Sequence, residues 1–129
     1  MKIYCVQCNG DVEARFTNGS EIYPHRSDLK DKSMWVCDTC KNYVGCHTGD
    51  NNNGEPLGVI PTPELRKARM SVHAIIDPLW RKGTISRNKV YGMLKEKLGY
   101  DYHSGETKTV EECERAREKA IEVKESMSI

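Results

Sequence analysis

Four cysteines at regular spacing are the clearest chemical feature of this chain. Cys5-x-x-Cys8 is followed, after 28 residues, by Cys37-x-x-Cys40. Two intervening residues let a tight turn direct both thiolates of a pair at one point, and two pairs complete a tetrahedral shell with metal–sulfur distances of about 2.3 Å. Four thiolates leave no position for water, so the sequence predicts one structural Zn²⁺; the same ligands also accept iron.

The other two cysteines leave two interpretations open. Cys46 and His47 follow the second pair closely and could hold a second ion together with His103 and Cys113. The simpler interpretation is that Cys46 ends a strand beside the first site and that Cys113 is a small apolar side chain on a helix face.

A histidine and a carboxylate could act as a proton-transfer pair. His73 and Asp77 are four residues apart on one predicted helix face, near Arg66, Arg69 and Arg87 in sequence. A small hydrolase or nuclease can be imagined from this set. Without a placed nucleophile or an open metal position, a local hydrogen bond between the two side chains is the better interpretation.

Basic residues are concentrated in the middle of the chain. The net charge is +1 overall, but residues 61–100 carry nine basic and three acidic side chains. Such a block can contact phosphates, or it can be the solvated face of two helices in a protein-binding module. The candidate nucleic-acid contacts are Arg66, Lys67, Arg69, Arg81, Lys82, Arg87 and Lys89.

Short β-prone segments must position the cysteines. They lie at 1–6, 12–16, 34–37 and 43–46, and turn residues separate them. We expect two cysteine turns on β-hairpins, a zinc ribbon over residues 1–48, with the wide interval between the pairs taken up by a loop at 20–32. Residues 49–61 are polar and rich in asparagine and glycine, which predicts a loop or linker.

Helical signals follow the linker. Apolar spacing and caps predict helices at 62–82, 86–98 and 109–126, and Pro78 should kink or end the first of them near its last turn. The predicted fold class is small α+β, an N-terminal β-hairpin zinc ribbon followed by a region at 62–129 of three α-helices packed on or beside it.

Composition narrows the class of protein. Of 129 residues, 37% are hydrophobic and 30% are charged, so the core is thin and a metal is a plausible source of added stability. We find no apolar run of about 18 residues and no secretory signal behind Met1. The sequence therefore predicts a soluble, cytoplasmic protein of a bacterial host cell, in which thiols stay reduced and bind metal.

Several distinctive motifs extend along the chain. They are Trp35-Val36-Cys37-x-x-Cys40, Tyr43-Val44-Gly45-Cys46-His47, Leu65-Arg66-x-x-Arg69-x-x-x-His73, Asp77-x-Leu79-Trp80, Ser86-Arg87-x-x-x-Tyr91, and His103-x-Gly105 with Cys113. Together these motifs resemble one family, the uncharacterised zinc-finger-containing proteins of phages and prophages. The resemblance covers nearly the whole chain and implies a zinc finger and a phage context; it supplies no catalytic residues. We expect a non-enzymatic accessory protein that binds nucleic acid, with a protein-binding module as the alternative.

Overall fold

The structure, a computed structural model, describes residues 1–47, 54–82 and 85–127. The chain divides into two compact units, which we call unit 1 (Met1–Pro63) and unit 2 (Glu64–Ile129). The first part of the predicted linker, residues 49–53, lies outside the described residues. Strands occur in unit 1 and the long helices in unit 2, and the small α+β class is confirmed.

Unit 1 contains two antiparallel sheets. One has two strands and the other has three in the order β3-β4-β5. Ile3 pairs with Val12 in the first sheet, and Trp35 pairs with Phe16 and Val44 in the second. The strands are β1 (Lys2–Cys5), β2 (Gly10–Glu13), β3 (Arg15–Asn18), β4 (Ser33–Val36) and β5 (Tyr43–Gly45).

The predicted strand at 12–16 is two strands. Ala14 separates β2 from β3, is buried, and donates its amide to the Met1 carbonyl at 2.9 Å. The chain passes from one sheet to the other at this residue. An alternating pattern of side chains does not reveal such a change of partner strand, since both strands have the same period of two.

The loop between β3 and β4 accounts for part of the wide interval between the cysteine pairs. It contains a four-residue helix, α1 (Gly19–Ile22), and a 3₁₀ turn at Ser27–Leu29. The Asn18 side chain caps α1 by accepting from the Ser20 amide. A Cβ atom at Gly19 would lie 1.7 Å from the Leu29 carbonyl oxygen, so this position requires glycine.

The end of the predicted linker is part of unit 1. Ile60 makes backbone hydrogen bonds with β1 and the residue after it, donating to the Tyr4 carbonyl at 2.8 Å and accepting from the Val6 amide at 3.0 Å. Its side chain is fully buried in a small core. The boundary between the units therefore follows residue 63, and residues 54–61 do not form a separate connector. The buried members of this core are Ile3, Cys5, Ala14, Cys37, Val44 and Ile60.

Three helices form unit 2, and their bounds agree closely with the prediction. Ser86 caps the second by accepting from the Lys89 amide, and Gly99 ends it with a φ of 86°. Their buried face includes Val72, Ile76, Val90, Leu94, Ala116, Ala120 and Val123. The helices are α2 (Pro63–Arg81), α3 (Arg87–Leu98) and α4 (Val110–Met127).

Pro78 does not end α2, which continues to Arg81. Only one turn follows the proline, so the missing amide hydrogen bond falls where the ladder is about to stop. Within the described residues, none of the helices has the length and apolar character needed to cross a membrane.

Candidate metal centre and cationic surface

Each cysteine pair lies at the closed end of a hairpin. Cys5 ends β1 and the first pair turns into β2, while the second pair joins β4 to β5. The residue after each pair, Asn9 or Lys41, has a left-handed backbone with φ of 56° or 67°. The two turns therefore share one backbone design, in which a left-handed residue returns the chain to the next strand.

The four sulfur atoms converge. The Sγ atoms of Cys5 and Cys40 are 3.5 Å apart, and those of Cys8 and Cys37 are 3.7 Å apart. All four lie within 4.8 Å of one another. A tetrahedron with metal–sulfur bonds of about 2.3 Å has sulfur–sulfur edges of about 3.8 Å. The cluster has the donor set and the size for one structural zinc ion.

Backbone amides shape the electrostatics of this cluster. Burial by itself raises the pKa of Cys37, but the amides of Thr39 and Cys40 hydrogen-bond its sulfur and, with the neighbouring thiols, lower the pKa to about 7. The hydrogen bond with Cys37, followed by desolvation, raises the pKa of Cys8 to about 12, and burial raises that of Cys40. The Cys37 sulfur is thus favoured as the thiolate, and a cation must displace the protons of Cys8 and Cys40.

A polar contact joins the two cysteine turns. Asn42, just after the second pair, is buried and donates its side-chain amide to Gln7 Oε1 at 2.8 Å. Its carbonyl accepts the Cys37 amide at 2.8 Å. Gln7 lies between the cysteines of the first pair, so this bond fixes one turn against the other. Sequence reasoning missed Asn42, since a lone asparagine after a turn has many interpretations.

The residues considered for a second metal site have other partners. Cys46 Sγ lies 3.4 Å from the Gly54 carbonyl oxygen in unit 1. Cys113 is fully buried on α4, with its Sγ 3.6 Å from Thr107 Oγ1 in unit 2, and so occupies the apolar face that its spacing predicts. His47 and His103 are exposed. Among the residues that the structure describes, the four-cysteine cluster is the one group of three or more ligands close enough to hold a metal ion.

His73 and Asp77 form the predicted local contact. His73 Nδ1 is 3.3 Å from Asp77 Oδ1, and Arg81 reaches the other carboxylate oxygen at 3.7 Å. The pair is partly solvated on α2. Neither side chain belongs to a described metal-ligand cluster, and Asp77 joins His73 and Arg81 in a local contact on α2.

Arg69 is wrongly predicted as a phosphate contact. It is buried, and its guanidinium donates to Thr107 Oγ1 at 2.9 Å, to the Thr107 carbonyl at 2.6 Å and to the Gly105 carbonyl at 3.2 Å. Thr107 Oγ1 in turn donates to the Ser104 carbonyl at 2.7 Å. Arg69 therefore fastens the loop before α4 to α2, and its charge is not available to a ligand.

The other predicted contacts lie on the surface of unit 2. Arg66 is half-buried, and the remaining five are exposed. Their placement on the surface allows contact with a ligand but does not distinguish a binding face from a solvated one. The five are Lys67, Arg81, Lys82, Arg87 and Lys89.

Two of these cations gather around aromatic rings, which the sequence did not predict. The Arg87 guanidinium carbon lies 4.5 Å from the Tyr91 ring centroid and 6.0 Å from that of Trp80. Arg81 lies 5.4 Å from the same Trp80 centroid. We call the residues Trp80, Arg81, Lys82, Arg87 and Tyr91 the cationic cluster. Arg87 and Tyr91 are four residues apart and so lie on one helix face, which was the signal in the sequence for their contact.

Comparison with known proteins agrees with the metal centre. The sequence pattern of a family described as a zinc-finger-containing domain matches residues 1–123. No curated protein and no solved structure matches the chain. The match covers both units and confirms the zinc-finger resemblance.

Proposed function

Because this chain belongs to the family of zinc-finger-containing domains, we propose that it is a phage-type accessory protein that binds nucleic acid without catalysis in a bacterial cell. Zinc stabilises unit 1, and the cationic cluster of unit 2 contacts phosphates. The proposal rests on one observation above the others, the closeness of Arg87 to two aromatic rings.

Contact with aromatic rings prepares Arg87 for a ligand. Its guanidinium carbon lies near the rings of both Trp80 and Tyr91, and these contacts restrict the motion of the side chain. A planar guanidinium binds phosphate oxygens with paired hydrogen bonds, and a positioned one loses little entropy in doing so. An arginine that is merely exposed to solvent on a helix face does not need these aromatic contacts.

The charges nearby are also unbalanced. Within the described residues, Lys82, Arg87 and Lys89 make no ion pair, whereas Lys95 and Lys97 pair with acidic side chains at 3.5 and 3.8 Å. In the cationic cluster, Arg81 has an acidic partner, Asp77 at 3.7 Å, whereas Lys82 and Arg87 make no ion pair within the described residues. Such unpaired cations are a favourable place for phosphate, since binding then releases counterions without breaking existing pairs.

A matched charge reversal tests the proposal. We compare Arg81→Glu/Arg87→Glu with Arg115→Glu/Arg117→Glu, which changes the net charge equally at exposed positions on α4. Anisotropy of labelled DNA and RNA is measured at several salt concentrations. The first variant should bind at least about tenfold more weakly, with a salt slope lower by about one to two units, while the control retains most of the affinity.

Two results would contradict the nucleic-acid proposal. One is the absence of binding by the wild type at low salt. The other is equal loss of binding in both double variants, which would reduce the effect to net charge. Zinc content and helical circular dichroism must match the wild type in both variants, because changes at exposed charges usually alter stability by no more than about 0.5 kcal/mol each.

The hydrolase alternative has its own test. His73→Ala should leave nucleic-acid binding within about twofold of wild type, because the side chain makes a local contact with Asp77. Incubation of wild type and variant with labelled DNA and RNA checks catalysis. Cleavage by the wild type that His73→Ala abolishes would establish an enzyme.

A protein-binding module remains the second candidate because unit 1 exposes large apolar side chains. Phe16 is 52% exposed and Leu57 is 50% exposed. Such residues favour a docking surface when they lie in a continuous patch. If the wild type binds no nucleic acid, Phe16→Ser and Leu57→Ser are the first variants to compare in co-purification from host lysate.

A further inference from the structure

Unit 2 contains a cleft beside the cationic cluster. Residues 87–92, from the first half of α3, form one wall, and residues 101–103 form the other. We call it the α3 cleft. Its volume is about 310 Å³, at the lower end of the range of about 300–1,000 Å³ for small-molecule sites. A single nucleotide matches this size better than a larger ligand does.

Gly92 keeps one wall of this cleft open. It lies inside α3, where glycine costs about 1 kcal/mol relative to alanine. A Cβ atom here would have nothing within 4 Å, and the backbone does not have a positive φ. Neither packing nor conformation therefore requires glycine. A side chain at position 92 would reduce the space in the cleft.

The polar groups of the cleft suit a base more than a bare anion. Asn88 offers both a donor and an acceptor. Asp101 offers a carboxylate, of which Oδ1 lies 3.5 Å from Lys95 Nζ. A carboxylate repels phosphate but accepts hydrogen bonds from the exocyclic amines of cytosine or adenine. Arg87, which also lines the cleft, is placed to take the phosphate attached to such a base.

We propose that the α3 cleft binds one unpaired base of a single-stranded nucleic acid, with Arg87 on its phosphate. This inference rests on the proposed function and adds the substrate class. A duplex presents its bases stacked and paired, whereas recognition of single strands uses exposed base edges and aromatic or guanidinium planes. The protein should therefore prefer single strands, with a further preference for bases that carry an exocyclic amine.

The test uses the full-length, zinc-loaded protein and two probes. One is a labelled 12-nucleotide single strand of mixed sequence, and the other is the same strand annealed to its complement. At equal salt, the single strand should bind at least about tenfold more tightly. Gly92→Leu should remove that preference and leave duplex binding unchanged. Ala74→Leu, at an exposed position on α2, is the matched control and should change neither affinity.

A second variant guards against a fold defect in Gly92→Leu. Asp101→Asn keeps the size of the side chain and removes the carboxylate. Wild type should bind oligo-dC or oligo-dA several-fold more tightly than oligo-dT, and Asp101→Asn should reduce that difference. Both variants should keep the helical circular dichroism of wild type.

The outcomes separate the two proposals. Equal affinity for single strand and duplex, with no effect of Gly92→Leu, overturns the cleft assignment and leaves phosphate binding by the cationic cluster intact. Failure to bind either probe at low salt overturns both. Competition by free mononucleotides at the same concentration as the oligonucleotide would overturn the assignment to a strand and make the cleft a mononucleotide site.

Discussion

Replacing Cys37 by serine should separate the metal-dependent fold from the rest of the chain. Cys37 is buried in the core of unit 1, and its sulfur lies 3.7 Å from Cys8 Sγ. Serine keeps the size of the side chain but replaces a thiolate ligand with a weak one. The substitution therefore removes one of four zinc ligands, the thiolate that the amides of Thr39 and Cys40 stabilise.

The magnitude follows from the small core of unit 1. Ile3, Val44 and Ile60 are its large apolar members, and each contributes about 1.5–3 kcal/mol when buried. Structural zinc contributes about 10–16 kcal/mol of apparent binding free energy, more than these side chains together. Loss of one thiolate should lower zinc affinity by at least about 100-fold and unfold unit 1 at low free zinc.

The assay measures zinc per chain after dialysis and the dispersion of backbone amide resonances from β1 to β5. Cys46→Ser is the matched control, because Cys46 lies in the same unit as Cys37 and its sulfur contacts the Gly54 carbonyl oxygen at 3.4 Å. It should retain about one zinc per chain and a folded unit 1. If Cys37→Ser keeps full zinc and wild-type resonances, or if Cys46→Ser loses as much metal, the four-cysteine assignment is wrong.

Three further predictions concern pH, a buried arginine and a helix end. The pKa of Cys8 is about 12, burial raises that of Cys40, and that of Cys37 is about 7. Zinc therefore displaces at least two protons at pH 8 and three at pH 6, and competition with a chelating dye should show apparent affinity falling about 100-fold, then about 1,000-fold, per pH unit as pH drops. Arg69→Ala should destabilise unit 2 by about 3 kcal/mol or more because it leaves buried carbonyls unpaired, against less than about 0.5 kcal/mol for exposed Lys67→Ala, both from urea denaturation followed by helical circular dichroism. In the same assay Gly99→Ala should cost about 1–2 kcal/mol, since its φ of 86° strains a side chain; a loss under 0.3 kcal/mol would refute that reason.

The metal ligands and the helix bounds could be predicted because the relevant physics is local. Two cysteines separated by two residues are brought together by a single turn, whatever the rest of the fold. Helix ends are similarly marked within a few residues: Ser86 accepts from Lys89, and Thr109 Oγ1 accepts the Glu112 amide at 3.2 Å. These features do not depend on distant parts of the chain.

The errors in unit 1 concern partners that are distant in sequence. From its sequence context Ile60 looks like the end of a polar linker. In the structure it pairs with Cys5 of β1, 55 residues away, and its side chain completes the core. Ala14 looks like the middle of one strand until the two sheets are known. A local pattern gives the tendency to form a strand and does not say which strand it will pair with.

Arg69 shows how a charge can be assigned to the wrong face of a helix. Leu65, Ala68 and Val72 recur at helical spacing and by themselves suggest an apolar stripe that leaves Arg69 outside with the other cations. The buried stripe is Leu65, Arg69, Val72 and Ile76, at the same helical period but with arginine as a core member. Its polar partners come from residues 105–107, across a distance in sequence that periodicity does not measure. A cation four residues after one apolar residue and three before another should therefore prompt a search for buried acceptors elsewhere in the chain before it is counted as surface charge.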